Sequence, residues 1–289
     1  MYKMRHIATS QNSSIFLTAE FEKKVYSWNI DTYEHISEFN TVLDFGGQRL
    51  AISGDGTRCI AAAYSRYGIS MYDILTGSVI WHRRDINKVQ FVTFDPLNET
   101  IYVGADEKPL LILNKDNGED NGILNTMTKV YFDLLSTKRL LLQGQRTVIG
   151  DEINIISPTF AFLDIQGIGR GMVLSAVGND LMYYNYYENK TIWRITPAKG
   201  EHFIKTAYSE TNETIFALLY KYNEPRIPPY YLLYAISAFD GVVKFIFSLP
   251  TEACEFGFAR NATKLICSSG EVFDLSYSEP TIIYNFNWE

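Results

Sequence analysis

The sequence predicts an all-β fold, and three observations carry that prediction. Aromatic residues make up 15% of the 289-residue chain, with 20 Tyr and 18 Phe, and such side chains suit the half-buried pleated surface of a strand. Long stretches with the apolar period of an amphipathic helix are hard to find. A unit consisting of an apolar strand, a short polar turn and a second apolar strand recurs along the whole chain. Together they give a seven-bladed β-propeller with four antiparallel strands per blade, a single domain over 1–289.

The second strands of the successive units begin at Ile15, Ile60, Ile101, Leu140, Met172, Ile215 and Leu265, with spacings of 45, 41, 39, 32, 43 and 50 residues. Each start has the same neighbourhood: HIATS before QNSS, VQFVTF before DPLNE, VYFDLL before STKR, FIKTAYS before ETNE, CEFGFA before RNATK. That is a hairpin repeated around a ring. Third strands follow and end in an aromatic residue or Leu before Asp or Asn, as in Trp28-Asn29, Tyr72-Asp73, Leu113-Asn114, Tyr184-Asn185 and Phe273-Asp274. A four-stranded blade has two apolar faces that it cannot bury alone, so blades stack on one another and close the ring. Both terminal blades supply all four of their strands, so closure needs no exchanged N-terminal strand.

Where the third strand runs into a fourth, ISMYDILTGSVIW (69–81) and LYAISAFDGVVKFIF (233–247) resemble the repeats of quinoprotein-like and WD-repeat propellers, with ENKTIWRI (188–195) a weaker copy. The Gly-His dipeptide of WD repeats and a consistent Trp-Asp are missing. The resemblance implies an architecture, with no activity attached.

Two stretches depart from the period. GQRTVIGDEINIISPT after Gln143 mixes polar and strand-like character, and KYNEPRIPPYY (221–231) inserts three prolines between the second and third strands of blade six. Proline removes a ladder donor, so the latter reads as a protruding loop. Loops of that class lie on the same face as the connections between blades, and this face is the expected binding surface. It offers Tyr64, Tyr67, Tyr222, Tyr230 and Tyr231 as aromatic anchors, with Glu20, Glu22, Asp106, Glu107 and Glu224 as an acidic field.

Other constellations read as ordinary structure. His6, His35, His82 and His202 show no metal-ligand spacing. There is no G-x-S-x-G, and Cys59, Cys254 and Cys267 sit in apolar contexts as buried free thiols, which suits a reducing, cytoplasmic setting. Gly167–Gly171 lacks the helix that would make it a phosphate loop, and Glu119-Asp120 and Asp151-Glu152 are solvated loop charges. Five Asn-x-Ser/Thr sequons, at Asn12, Asn98, Asn189, Asn212 and Asn261, read as turn chemistry. No cofactor or metal is expected. Neither a signal-peptide core nor an apolar run of about 20 residues is present, so no membrane role is expected.

With 26 Lys and Arg against 33 Asp and Glu the formal net charge is −7, which opposes direct nucleic-acid binding and favours a basic protein partner. By size, solitary architecture and acidity, the chain resembles the small propeller immunity proteins found beside bacterial toxins of the contact-dependent growth inhibition type. That resemblance implies a non-catalytic protein that neutralises a basic toxin domain, a nuclease such as an RNase. The alternatives are a propeller hydrolase or lactonase with its site in the central channel, and a scaffold subunit of a larger assembly.

Overall fold

The computed structural model describes residues 6–10, 13–20, 24–42, 49–64, 67–95, 100–106, 109–124, 130–132, 139–143, 146–149, 154–156, 162–167, 172–177, 180–185, 188, 190–221, 230–250, 255–277 and 279–288; from 124 to 177 and at Tyr184 it describes the backbone alone. These residues form seven four-stranded antiparallel sheets, each a meander of consecutive strands. Blade 1 is β1 (His6–Thr9), β2 (Ile15–Ala19), β3 (Lys24–Asn29) and β4 (His35–Asn40). Blade 2 is β5 (Leu50–Ile52), β6 (Arg58–Ala62), β7 (Ile69–Asp73) and β8 (Val79–Arg83). Blade 3 is β9 (Val89–Phe94), β10 (Thr100–Ala105), β11 (Leu110–Asn114) and β12 (Asp120–Leu124). Blade 4 is β13 (Val130–Phe132), β14 (Arg139–Gln143), β15 (Arg146–Ile149) and β16 (Asn154–Ile156). Blade 5 is β17 (Phe162–Gly167), β18 (Met172–Val177), β19 (Asp180–Asn185) and β20 (Lys190–Ile195). Blade 6 is β21 (Glu201–Ser209), β22 (Thr214–Lys221), β23 (Tyr230–Ser237) and β24 (Val243–Ser248). Blade 7 is β25 (Phe256–Ala259), β26 (Lys264–Cys267), β27 (Glu271–Asp274) and β28 (Thr281–Asn285).

The repeat read from the sequence falls on these strands: Ile15 and Met172 open β2 and β18, and the other second-strand starts lie one or two residues inside theirs. Second strands are sandwiched between neighbouring blades and buried on both faces, as in β6 and β10, whereas β24 and β28 at the rim are largely exposed. The apolar core accordingly lies between blades. Leu17, Val25 and Phe39 of blade 1 pack on Ile52, Cys59 and Tyr72 of blade 2, and Phe216 and Leu233 of blade 6 pack on Phe258 and Leu265 of blade 7.

The seam joins blade 7 to blade 1 without strand exchange. Ile7, Phe16 and Ile30 pack on Ala259, Ile266 and Val272, and β1 runs beside β25. Beyond β28, Phe286 lies edge-on to Trp28 with centroids 5.1 Å apart, and Trp288 packs on the same ring at 5.3 Å.

Every third strand that the sequence marks with an aromatic-acid or Leu-Asn pair ends in the same capped turn. The side-chain oxygen of Asn29 accepts the Asp31 and Thr32 N–H groups, Asp73 accepts Thr76 N–H at 2.8 Å, Asn114 accepts Asp116 N–H at 2.8 Å, Asn185 accepts Glu188 N–H and Asp274 accepts Ser276 N–H. Among the described residues, six blades also carry a register shift near the end of the third strand, just before this pair in five and before Ile236-Ser237 in blade 6, where β4, β8, β12, β20, β24 and β28 each hold one extra residue. The bulge twists the outer strand and interrupts its free edge.

Candidate functional site

In a four-stranded meander, the first-to-second and third-to-fourth turns lie at one end and the second-to-third loops and blade connections at the other. The disc therefore has a turn face and a loop face. On the turn face the two turns of a blade are tied together: Ile30 N–H bonds Ser14 O, Ile74 N–H bonds Thr57 O, Ala238 N–H bonds Glu213 O and Leu275 N–H bonds Thr263 O.

Of the residues singled out from the sequence, the loop face holds Glu20, Tyr64, Tyr67, Asp106 and Tyr230. Tyr64, 42% exposed, donates its hydroxyl to Asp106 Oδ2 at 2.8 Å, and the Arg49 guanidinium lies 5.1 Å from its ring. The Gln90 amide and the Tyr64 hydroxyl hold the Asp106 carboxyl below the usual carboxylate range, while the bond to Asp106 raises the Tyr64 phenol. Tyr67 stands more open at 53%, and Glu20 is half-buried beside the β2–β3 connection. In blade 6, Tyr230 donates to Glu201 Oε1 at 3.0 Å, with Lys221 Nζ at 3.3 Å from the same oxygen. Burial works to raise the Glu201 carboxyl, but these two partners and the Ala198 N–H hold it low.

Three expectations need correction or fall elsewhere. Lys221 and Tyr230 pair as the last rung of β22 and β23, so the insertion narrows to 222–229, which lies outside the described residues together with Tyr222 and Glu224. Glu22, Glu107 and Cys254 also lie outside them. Tyr231 belongs to the core, 9% exposed and edge-on to Phe256, because alternation along β23 turns it inward when Tyr230 faces out.

The acidic field was expected on the loop face, and the described residues place its surplus on the other. On the loop face Glu20, Asp85, Asp106 and Glu255 are matched by Arg49, Arg84, Lys88 and Lys199. The turn face exposes Asp31, Glu34 and Asp55 in blades 1 and 2, Asp116, Glu119 and Glu188 in blades 3 and 5, and Glu210, Glu213, Asp240 and Glu279 in blades 6 and 7; its described turns carry Lys115 and Arg260 as cations. The cause is turn chemistry: Asp and Asn cap these turns, so carboxylates collect at that end of the blades whose turns are described. Two of the turn carboxylates show the effect of such bonds on titration. Asp73 is lowered by the Thr76 N–H and hydroxyl, and Asp240 by the Ser237 hydroxyl and the Val242 N–H. Ion pairs bridge blades on this face: Asp31 with Arg260 and, at 3.6 Å, with Lys264, and Asp116 with Arg58 at 2.5 Å.

A further feature, absent from the sequence reading, is the joint beneath these turns. An outer-strand ring of one blade lies under the turn glycine of the next: Phe39 under Gly77, Trp81 under Gly118 and Trp193 under Gly241. All three glycines have φ between 67° and 74°, and a Cβ would meet the Trp81 or Trp193 ring at 2.7 Å at Gly118 and Gly241, and Phe39 Cβ at 2.7 Å with its ring at 3.3 Å at Gly77. Trp81 donates to Lys115 O at 2.8 Å and Trp193 to Ala238 O at 3.2 Å. The sequence signal for it is a polar residue four places before each glycine, Asp73, Asn114 and Ser237, each in the blade after an outer-strand aromatic.

Near the loop-face end of the seam, Glu255 accepts the Ile7 N–H at 3.1 Å, with His6 Nδ1 at 3.7 Å. Burial among the inner strands pushes its carboxyl up to about 7, against the pull of Lys205 and the Ile7 N–H. Cys59 and Cys267 are fully buried in β6 and β26. Asn212 and Asn261 sit in first-to-second turns, the latter with φ of 52°. Among the described residues, no group of three or more His, Cys, Asp or Glu is placed to hold a metal, and no helix is long and apolar enough to cross a membrane.

No family model matches the chain, and no curated protein matches it in sequence. Solved structures do match in shape. The β-propeller domain of Cps50 (Swd1) from Myceliophteria thermophila superposes with a TM-score of 0.71 at 11% identity, covering 99% of this chain and 97% of that one. The C-terminal WD40 domain of Sif2 gives 0.63 at 10% identity, covering 92% and 78%. Its meander blades, its capped third-to-fourth turns and these two likenesses make the chain a β-propeller of the WD40 type in fold.

Proposed function

We propose that this chain is a non-catalytic protein-binding propeller whose partner is basic, and that the partner is a toxin nuclease domain which the chain neutralises in the cytoplasm as an immunity protein. The observation that carries the reading is the concentration of carboxylates on the turn face. A nuclease must present a cationic surface to a phosphate backbone. A rigid disc bearing fixed carboxylates competes for that surface without entering the chemistry, and its field speeds encounter with a basic protein.

The test is titration of the purified chain into purified basic RNase and DNase toxin domains, following substrate cleavage and heat of binding together. The reading expects stoichiometric loss of cleavage with one of them and an association rate that falls steeply as salt is raised. Binding to no basic domain sinks the partner class. Binding without loss of cleavage leaves a scaffold, and turnover of lactones or esters by the chain alone sinks the non-catalytic assignment.

A further inference from the structure

An open groove of about 280 Å³ lies between blades 6 and 7 on the turn face. Its apolar walls are Phe216, Phe245, Leu275 and Tyr277, and its polar end holds Asn212 and Thr214. Lys244 also lines it, with Nζ bonded to Thr214 Oγ1 at 2.6 Å, so this cation is already engaged within the wall. Tyr277 is 67% exposed, and the third-to-fourth turn that leads into β24 carries Phe239 at 87% and Val242 at 58%. Large apolar side chains held this far into water beside a groove form an apolar patch with no partner within the described residues.

Around the patch carboxylates outnumber cations, Lys244 being the cation of the wall and Arg260 that of the next turn of blade 7. Glu210, Glu213, Asp240 and Glu279 are exposed on the turns that border it. A second copy of the chain would bring the same carboxylates against them, whereas a cationic segment would be attracted to the rim while it buries an apolar side chain in the middle. Resting on the basic-partner reading above, we infer that the partner docks here through an Arg- or Lys-rich segment that seats one aromatic or branched apolar side chain in the groove between blades 6 and 7. Phe239 and Tyr277 are the contact residues on this side. Both stand on turns whose backbone is fixed by bonds within the blade, Ala238 N–H to Glu213 O and Leu275 N–H to Thr263 O, so little ordering is needed on docking.

The probe is a fluorescein-labelled peptide with a central Phe flanked by Arg and Lys, compared with versions carrying Ala for the Phe or Glu for the basic residues. The expected result is binding of the Phe peptide, weakened about tenfold by loss of its Phe and by Phe239→Ala with Tyr277→Ala in the protein, unchanged by Tyr64→Ala with Tyr67→Ala, and abolished for the Glu version. Hydrogen exchange should slow at 238–244 and 275–277 in the complex. Both double variants remove exposed side chains, and circular dichroism checks that they fold. If only the Tyr64/Tyr67 variant loses the peptide, the basic-partner reading stands and this placement is overturned. Equal binding of the Glu version overturns the charge argument. Failure of every basic peptide overturns placement and partner class together, and a dimer in sedimentation that the Phe239/Tyr277 variant abolishes assigns the groove to a second copy instead.

Discussion

Tyr284 of β28 lies flat on Tyr33 of the β3–β4 turn, ring centroids 4.1 Å apart and planes within 3° of parallel. Tyr33 holds the place that Gly77, Gly118 and Gly241 hold in other blades, and it keeps their positive φ, at 62°. The seam is thus the ordinary joint with a second ring in place of a glycine.

The pair should couple. Tyr33→Ala and Tyr284→Ala in a double-mutant cycle are expected to show an interaction of about 1 kcal/mol in urea unfolding. Tyr33→Gly should lose less stability than Tyr33→Ala by about 1 kcal/mol, because glycine accepts the left-handed backbone without penalty. An equal loss in both would show that the backbone there is unstrained.

Gly118→Ala should cost about 2–3 kcal/mol, combining a left-handed backbone with overlap against Trp81, whose ring atoms lie 2.7 Å from the new Cβ. Gly200→Ala is the control. Its φ is 83° but nothing lies within 4 Å of a Cβ, so it should cost about 1 kcal/mol by thermal unfolding. Equal costs would remove the joint from the account of stability.

Glu255 gives the chain a specific pH dependence. Its carboxyl rises from 4.5 to about 7 in the fold, so between these values the folded chain holds a proton that the unfolded chain has released. Its contribution to stability is therefore full below 4.5 and is lost as pH rises through about 7. Glu255→Gln keeps an acceptor for the Ile7 N–H, flattens the stability profile across that window, and leaves the variant the more stable of the two above it. An unchanged slope would assign the dependence to other groups.

Cys59 and Cys267 should resist labelling in the native state. Each is fully enclosed, and burial pushes both thiols up, so neither access nor thiolate is available. Mass spectrometry after brief treatment with a thiol reagent, native against unfolded, checks this. Rapid native modification of either would show that its blade opens.

Strand positions were legible because each hairpin has polar punctuation that interrupts an apolar run, as at Ser209 to Thr214. The third-strand pairs were legible as a pattern, but their purpose was not: an Asn114 cap is local, whereas the Trp81 ring beneath Gly118 exists only once blades are stacked. One site assignment failed: Tyr231 was set beside Tyr230 as if both faced water, although the period of two places adjacent strand residues on opposite faces. The loop-face acids Glu20 and Asp106 do lie at second-to-third connections, but the carboxylates of the opposite face went unread as a group, because Asp116, ten residues from Asp106, leaves the other end of β11.

The seam also bears on how the ring can be rewritten. Each blade is complete in its own stretch of chain, and blade 7 meets blade 1 through side chains of the same kind that join blades elsewhere. No strand has to be threaded into a distant sheet, so the order in which blades follow one another carries little structural information. Since β28 ends and β1 begins on the loop face, a short linker could join these two strands and the chain could be opened at another blade boundary. The molecule is, in that sense, a cyclic object written as a linear one.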